Sequence, residues 1–212
     1  MRHRLSRMLC LVLFSLLAAA VFAQEDFSGD IVRSKQGAQI AQGKIYVTKD
    51  KVRFEPEGEN ARNGFVIVNF ATHTSQVLMP ARKMYMEMPA GQGPAAQSMR
   101  DFFRPPDPEN ACSDWMKAAT KPGAECHKVG SAVVNGRNTV EYEAKSSEGH
   151  SGHVWLDRKI AFPVKWDNED GGGGELRNIK EGSQPASLFE IPSDYQKMDL
   201  GSMGMPGGTR PH

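Results

Sequence analysis

The chain has 212 residues, with 26 Lys and Arg against 25 Asp and Glu for a formal net charge of +1, and 39% hydrophobic residues. This near-neutral balance, without a Lys or Arg run interleaved with aromatics, argues against a nucleic-acid partner. The length suits one domain with a real core, not two.

Residues 1 to 23 contain Arg2, Arg4 and Arg7, an apolar run from Met8 to Val21, and then Phe22-Ala23. This reads as a secretory signal peptide cleaved after Ala23, because the apolar run falls short of the roughly 18 to 20 residues that span a bilayer. Cys10 lies at the start of the run, where it cannot become the lipidated first residue of a lipoprotein. The mature chain is therefore expected to be soluble and periplasmic or secreted. Removing the three leader arginines from 26 basic side chains leaves 23 against 25 acidic ones, a net of −2. No later stretch reaches transmembrane length, so any membrane contact would be peripheral. A single domain is expected over residues 24–198.

From Phe27 to Met88 the pattern is mostly strand. Ser28 to Ser34 and Gln39 to Thr48 flank a turn near Gln36-Gly37. Val52 and Phe54 alternate with Arg53 and Glu55, and Pro56 to Asn60 read as a loop. Phe65 to Phe70 has no polar face, which predicts a strand covered on both sides. Gln76 to Met79 and Lys83 to Met88 form the next pair, with Met84, Met86 and Met88 on one face and Lys83, Tyr85 and Glu87 on the other. That methionine row is either core packing or the lining for a variable apolar ligand, since thioether side chains adapt to irregular shapes.

Between Gly91 and Gly123 the period changes. Ala95, Ala96, Met99, Phe102 and Phe103 fall on one side of a short helix, and after Pro105-Pro106 a second helix is expected with Asp107 as cap and Pro108 at its first position. Its packed side would be Ala111, Cys112, Trp115, Met116 and Ala119, and Pro122-Gly123 would stop it. Cys112 and Cys126 are the only cysteines beyond the leader. In an exported chain an even pair reads as a disulfide, here worth roughly 3 kcal/mol by chain-entropy arithmetic.

Strands resume with Val129 to Val134 and Arg137 to Lys145, and Asn135-Gly136 between them is a strong hairpin signal. Then come His153 to Asp157, Phe162 to Asp167, Glu175 to Lys180 and a closing segment, Ser187 to Pro192. The turns between them are Asp157-Arg158-Lys159 and Asn168-Glu169-Asp170 with Gly171 to Gly174. Residues 199–212 are expected to be a disordered tail.

Trp155-Leu156-Asp157 with Phe162-Pro163-Val164, then Glu175 to Ile179, then Leu188 to Pro192, resembles the C-terminal half of secreted bacterial proteins related to the LolA/LolB lipoprotein-carrier superfamily. The closest likeness is to a branch without an assigned function. The Val134 to Arg137 turn and the Cys112/Cys126 pair fit it too, so the resemblance runs from Phe27 to Met198. It implies a mainly β fold with some helix (α+β), a strongly curved antiparallel sheet or half-open β-barrel covered by short helices. It also implies an apolar ligand held on the concave side, with Met84, Met86, Met88, Met99, Phe102, Phe103, Trp115, Val164 and Trp166 as the candidate lining. The expected partner is a lipid, an acyl chain or a lipoprotein, with the protein acting as a monomer. No arginine here can be matched to the one that latches the lid in the carriers.

Catalytic and metal patterns fail one by one. His127, His150 and His153 lack a third well-placed ligand. Asn168 and Asp170 hint at a calcium loop, but Trp166 and Arg177 stand where its first and last carboxylates are needed. Gly149 to His153 is one residue out of step with a nucleophile elbow, and Gly171 to Gly174 lacks the Lys-Ser/Thr of a phosphate loop. No enzyme, cofactor or metal site is expected. Two readings stay open: a carrier with an apolar cavity, and a filled envelope interaction or sensor module.

Overall fold

The computed structural model describes residues 25–58, 61, 64–89, 106–118 and 122–198. Among them twelve strands are formed: β1 (Phe27–Lys35), β2 (Ala38–Val47), β3 (Lys51–Pro56), β4 (Phe65–Asn69), β5 (Thr74–Met79), β6 (Met84–Pro89), β7 (Glu125–Val134), β8 (Arg137–Lys145), β9 (Ser151–Asp157), β10 (Phe162–Asn168), β11 (Gly172–Glu181) and β12 (Gln196–Lys197). A helix, α1 (Ala111–Ala118), interrupts them between β6 and β7. All twelve strands make one open sheet in the order β12-β6-β5-β4-β3-β2-β1-β11-β10-β9-β8-β7. Two antiparallel meanders, β1 to β6 and β7 to β11, are joined where β1 pairs with β11. This is the mainly β architecture, a largely antiparallel sheet with a short helix, that the sequence reading anticipated.

Turn chemistry sets the hairpins. Gln36-Gly37 and Asn135-Gly136 both take positive φ, at 51° and 80° and at 49° and 78°, as the tight two-residue hairpin turns require. The all-apolar strand β4 is covered on both sides at its centre: Ile67 is 1% exposed and Val68 5%, and as chain neighbours they point to opposite faces.

The main core cluster gathers Phe27, Ile31, Ile45, Val47, Val52, Phe162, Val164 and Leu176. Phe27 and Phe162 lie two strand spacings apart across β11, about 9.5 Å in a flat sheet, yet their ring centroids are 5.1 Å apart, edge to face. The sheet curls toward this side. A second cluster, Ala111, Val140, Tyr142 and Leu156, seats α1, whose Trp115 ring meets Tyr142 edge-on at 5.5 Å. The Cys112–Cys126 disulfide ties α1 to β7.

Several local expectations change. Gly172 to Gly174 belong to β11 and are not part of the turn, so that strand begins three residues before Glu175. Glycine is required there because a Cβ on Gly174 would run into the Trp166 indole, and one on Gly173 would come within 2.6 Å of the Trp166 carbonyl oxygen. The helix after Pro106 starts at Ala111, later than expected. Asp107 caps a preceding turn instead, its carboxylate accepting from the Glu109 N–H at 2.9 Å. Met116, expected on the packed side, is 41% exposed. The closing segment begins as a 3₁₀ turn, Ala186–Phe189, closed by the Leu188 N–H on the Pro185 carbonyl at 3.1 Å. The expected helix at 95–103, Ala119, the leader and the tail lie outside the described residues.

Charge networks lock the meander ends. Asp157, 1% exposed, accepts from Arg137 and from the backbone N–H groups of Lys159 and Ile160. Arg137 also reaches Glu181 at 2.7 Å, and Lys159 pairs with the same carboxylate. Hydrogen bonds from Lys159 and then Arg137 hold the Glu181 carboxyl below its ordinary value of 4.5. Hydrogen bonds from Lys128 and Arg158 do the same for Glu109. A carboxyl whose folded pKa is depressed stabilises fully above its unfolded pKa, and that contribution fades as pH falls through the folded value. The urea midpoint should therefore be flat down to about pH 5 and drop below about pH 4.5, with Glu181→Gln flattening part of the drop. Reducing the disulfide should cost on the order of 2 to 4 kcal/mol in the same assay. Hydrogen exchange should show α1 loosening before the sheet, because the bond fixes the helix to β7.

Candidate ligand-binding face

The methionine row can be placed by following cross-strand register. Met86 is opposite Val77, Val77 opposite Val66, Val66 opposite Phe54, and Phe54 opposite Ile45. A parallel row runs from Met88 through Ser75, Val68 and Val52 to Val47. Directly opposed residues share a face. The methionines therefore stand on the same side of the sheet as the main core, on the fourth strand out from β2.

Burial changes along these rows. Ile45 and Val47 are fully buried and Val52 is 1% exposed, whereas Val66, Val77, Met84, Met86 and Met88 are half-buried. The face is packed solid at β1 to β3 and opens toward β6. Val164 falls in the solid part, 1% exposed, and Trp166 is half-buried against it. Trp115 belongs to the α1 cluster, which is separate from the row. Of the nine candidate lining residues, the structure thus aligns Met84, Met86 and Met88, places Val164 and Trp166 in or on the packed core, and puts Trp115 elsewhere. Met99, Phe102 and Phe103 lie outside the described residues.

The opposite face of the same strands is closed by the chain's own C-terminal segment. Leu188, Phe189, Ile191 and Tyr195 pack on Tyr46, Phe65, Ile67, Leu78 and Tyr85. Arg53 pins this strap: it donates to the Leu188 carbonyl at 2.6 Å, pairs with Glu55, and lies 3.7 Å over the Phe65 ring. Lys83–Asp194 at 3.0 Å and Lys197–Glu87 at 2.7 Å hold its far end, and β12 adds to the sheet in parallel with β6. Neither the strap's side of the sheet nor the Arg53 anchor was legible from periodicity, because Arg53 and Leu188 are 135 residues apart.

The histidines serve other partners. His153 meets Glu141 at 2.9 Å and stacks on Trp155, while His127 and His150 face Glu125 and Glu169. Among the described residues there is no group of three or more His, Cys, Asp and Glu positioned to hold a metal ion. A polar depression of about 620 Å³ lies on the strap side of β1, β2 and β11, where Asp30 joins Lys44 at 3.2 Å and Asn178 at 2.7 Å. The Lys44 ammonium and the Asn178 amide neutralise and satisfy Asp30.

Three solved structures illustrate the likeness. An uncharacterized conserved protein from Thermus thermophilus matches with a TM-score of 0.54 at 9% identity, covering 82% of this chain and 90% of that one. MucB, in the Pseudomonas aeruginosa MucA/MucB complex, matches with a TM-score of 0.50 at 20% identity, over 81% of this chain and 57% of its own. A LolA superfamily protein from Nitrosomonas europaea matches with a TM-score of 0.35 at 10% identity, over 80% of this chain and 91% of its own. The chain thus spans a little more than half of MucB. At these identities the likeness is one of fold alone. No family model and no curated protein sequence matches the chain.

Arg53→Ala should cost on the order of 1 to 3 kcal/mol, because it leaves the Leu188 carbonyl without its charged donor and removes the cation over Phe65. Amide exchange at residues 186–198 should accelerate first. Unchanged protection there would show that the strap holds without Arg53.

Proposed function

We propose that the protein is an exported, non-catalytic binding protein that holds an acyl chain or a similarly apolar ligand on the half-open face of β4 to β6. The observation that carries this reading is the continuous apolar row from buried Ile45 to half-buried Met86, with no charged side chain in register on that side. An apolar ligand laid on it gains about 0.8 kcal/mol per methylene removed from water. Flexible thioethers accommodate chains of different length at little cost. The strap satisfies the other face, so ligand traffic is confined to one side.

A protein segment is the second occupant. The packed interior at β1 to β3 favours it, because the cluster leaves exposed surface only at the outer strands, and MucB, of like fold, is known with MucA bound. An amphipathic segment would use the same methionines.

The signal-like leader supports export to the periplasm or beyond, and N-terminal sequencing of protein from a periplasmic fraction should give a start at Gln24. Native mass spectrometry of that material should show a lipid-sized adduct. Met86→Asp should lower uptake of a fluorescent fatty acid by more than about tenfold while the protein stays folded, since a charge on a half-buried strand position opposes apolar ligand more than it opposes folding. A folded variant that takes up the probe like the parent would remove the row from the binding face.

A further inference from the structure

Thioethers concentrate at one spot on this face. Met79 and Met84 are direct register partners across β5 and β6. Met86 follows Met84 by two residues and shares its side. The fourth arrives from the far end of the chain: Gln196 of β12 is the register partner of Met84, and the Met198 N–H donates to the Tyr85 carbonyl at 2.8 Å. Alternation from Gln196 brings Met198 to the methionine side, next to Met86.

Opposed Cβ atoms in a sheet lie about 5 Å apart and diagonal neighbours within about 8 Å. A methionine side chain, with three rotatable bonds, spans such gaps. All four methionines are half-buried, so the spot is sheltered and reachable. The nearby charges are on the other face, where Lys197 pairs with Glu87. Packing alone gives a poor account of the residue choice. Strand positions favour β-branched side chains, and this face uses Val52, Val66, Val68 and Val77 on the adjoining strands. It changes to methionine only around β6.

We propose that Met79, Met84 and Met86, which are opposed, diagonal or same-face neighbours of one another, form a thioether site for a soft monovalent metal ion, Cu(I), with Met198 beyond them on the far side of β6. Thioether sulfur selects Cu(I) and discriminates against Mg and Ca, which prefer oxygen donors. Both cysteines among the described residues are joined in the disulfide, so no thiolate there competes for the ion. The donors are neutral in every state, so the ion binds without releasing a proton, unlike a site built on Cys or His. This assignment stands apart from the acyl reading. A chain needs only an apolar surface, whereas the ion needs sulfur.

The test uses the full mature chain with methyl-labelled methionine and silver(I) nitrate, a redox-stable soft probe, in chloride-free buffer. Wild type should bind one Ag(I), and the methyl resonances of Met79, Met84 and Met86 should shift. The affinity should stay constant from about pH 5 to 8, across the range where histidine titrates. Replacing Met79, Met84 and Met86 together by leucine should weaken binding at least about tenfold, since the sulfur donors are lost and the apolar volume is kept. Met86→Leu alone serves if the triple variant does not fold, and exposed Met116→Leu is the control that leaves binding unchanged. No Ag(I) uptake, shifts confined to other methionines, or full binding by the leucine variants would each overturn the site. Uptake of the fatty-acid probe by the leucine variants reports separately on the acyl reading.

Discussion

The pairing of β1 with β11 is the join on which the rest of the sheet depends, because it is there that two meanders from opposite ends of the chain become one surface. A single irregularity makes the join work. Leu176 and Ile179 are three residues apart and would point to opposite sides of a regular strand. The register shift opposite Gly29, with Asn178 at φ 50°, lets both pack on the main core. The Asn178 side chain then donates to Asp30 at 2.7 Å and holds the bulge in place. Without that shift one of the two apolar side chains would be left on the polar side, and the cluster around Phe27 would lose a wall.

From this join follows the gradient along the sheet. Curvature brings β1 to β3 and β10 to β11 together, so their shared face is filled by its own side chains. Farther out, β4 to β6 have no described strand across from them, and the same apolar rows continue half-exposed. The C-terminal strap works in the opposite sense, since it covers the back of these strands. Arg53 joins the two halves of that arrangement, with a carbonyl of the strap, a carboxylate and an aromatic ring all served by one guanidinium.

What the sequence made legible is what period and turn chemistry encode. The hairpins at Gln36-Gly37 and Asn135-Gly136, the doubly covered β4, the one-sided methionine row and the bonded cysteines all depend on residues close in sequence or on simple parity. The rest depends on partners far apart. Gly172 to Gly174 read as a turn because nothing local reveals that Trp166 lies against them. Ser187 to Pro192 read only as a closing segment because the packing of Leu188 and Phe189 with Ile67 and Leu78 comes from strands more than a hundred residues earlier. Arg137, Asp157 and Glu181 are likewise unremarkable singly, and become a lock only when β8, β9 and β11 are aligned. Met198 reads as the edge of a tail until the parallel pairing of β12 sets it beside Met86.

An acyl chain and a soft metal ion make different demands on the same atoms. An acyl chain needs length, and strands of five or six residues offer roughly 17 to 20 Å along their axes, with about 10 Å across the two spacings from β4 to β6. A soft ion needs convergence, which the row alone does not supply, since Met84, Met86 and Met88 in one strand stand nearly 7 Å apart in succession. Convergence comes from β5, which sets Met79 opposite Met84 and diagonal to Met86. A lipid surface gains adaptability from thioethers but does not need sulfur at Met79, because valine, already used at Val77 on the same strand, offers apolar area with a better fit to a strand. Methionine at position 79, opposite Met84 and diagonal to Met86, is therefore the feature that adds a converging sulfur to an otherwise apolar lining.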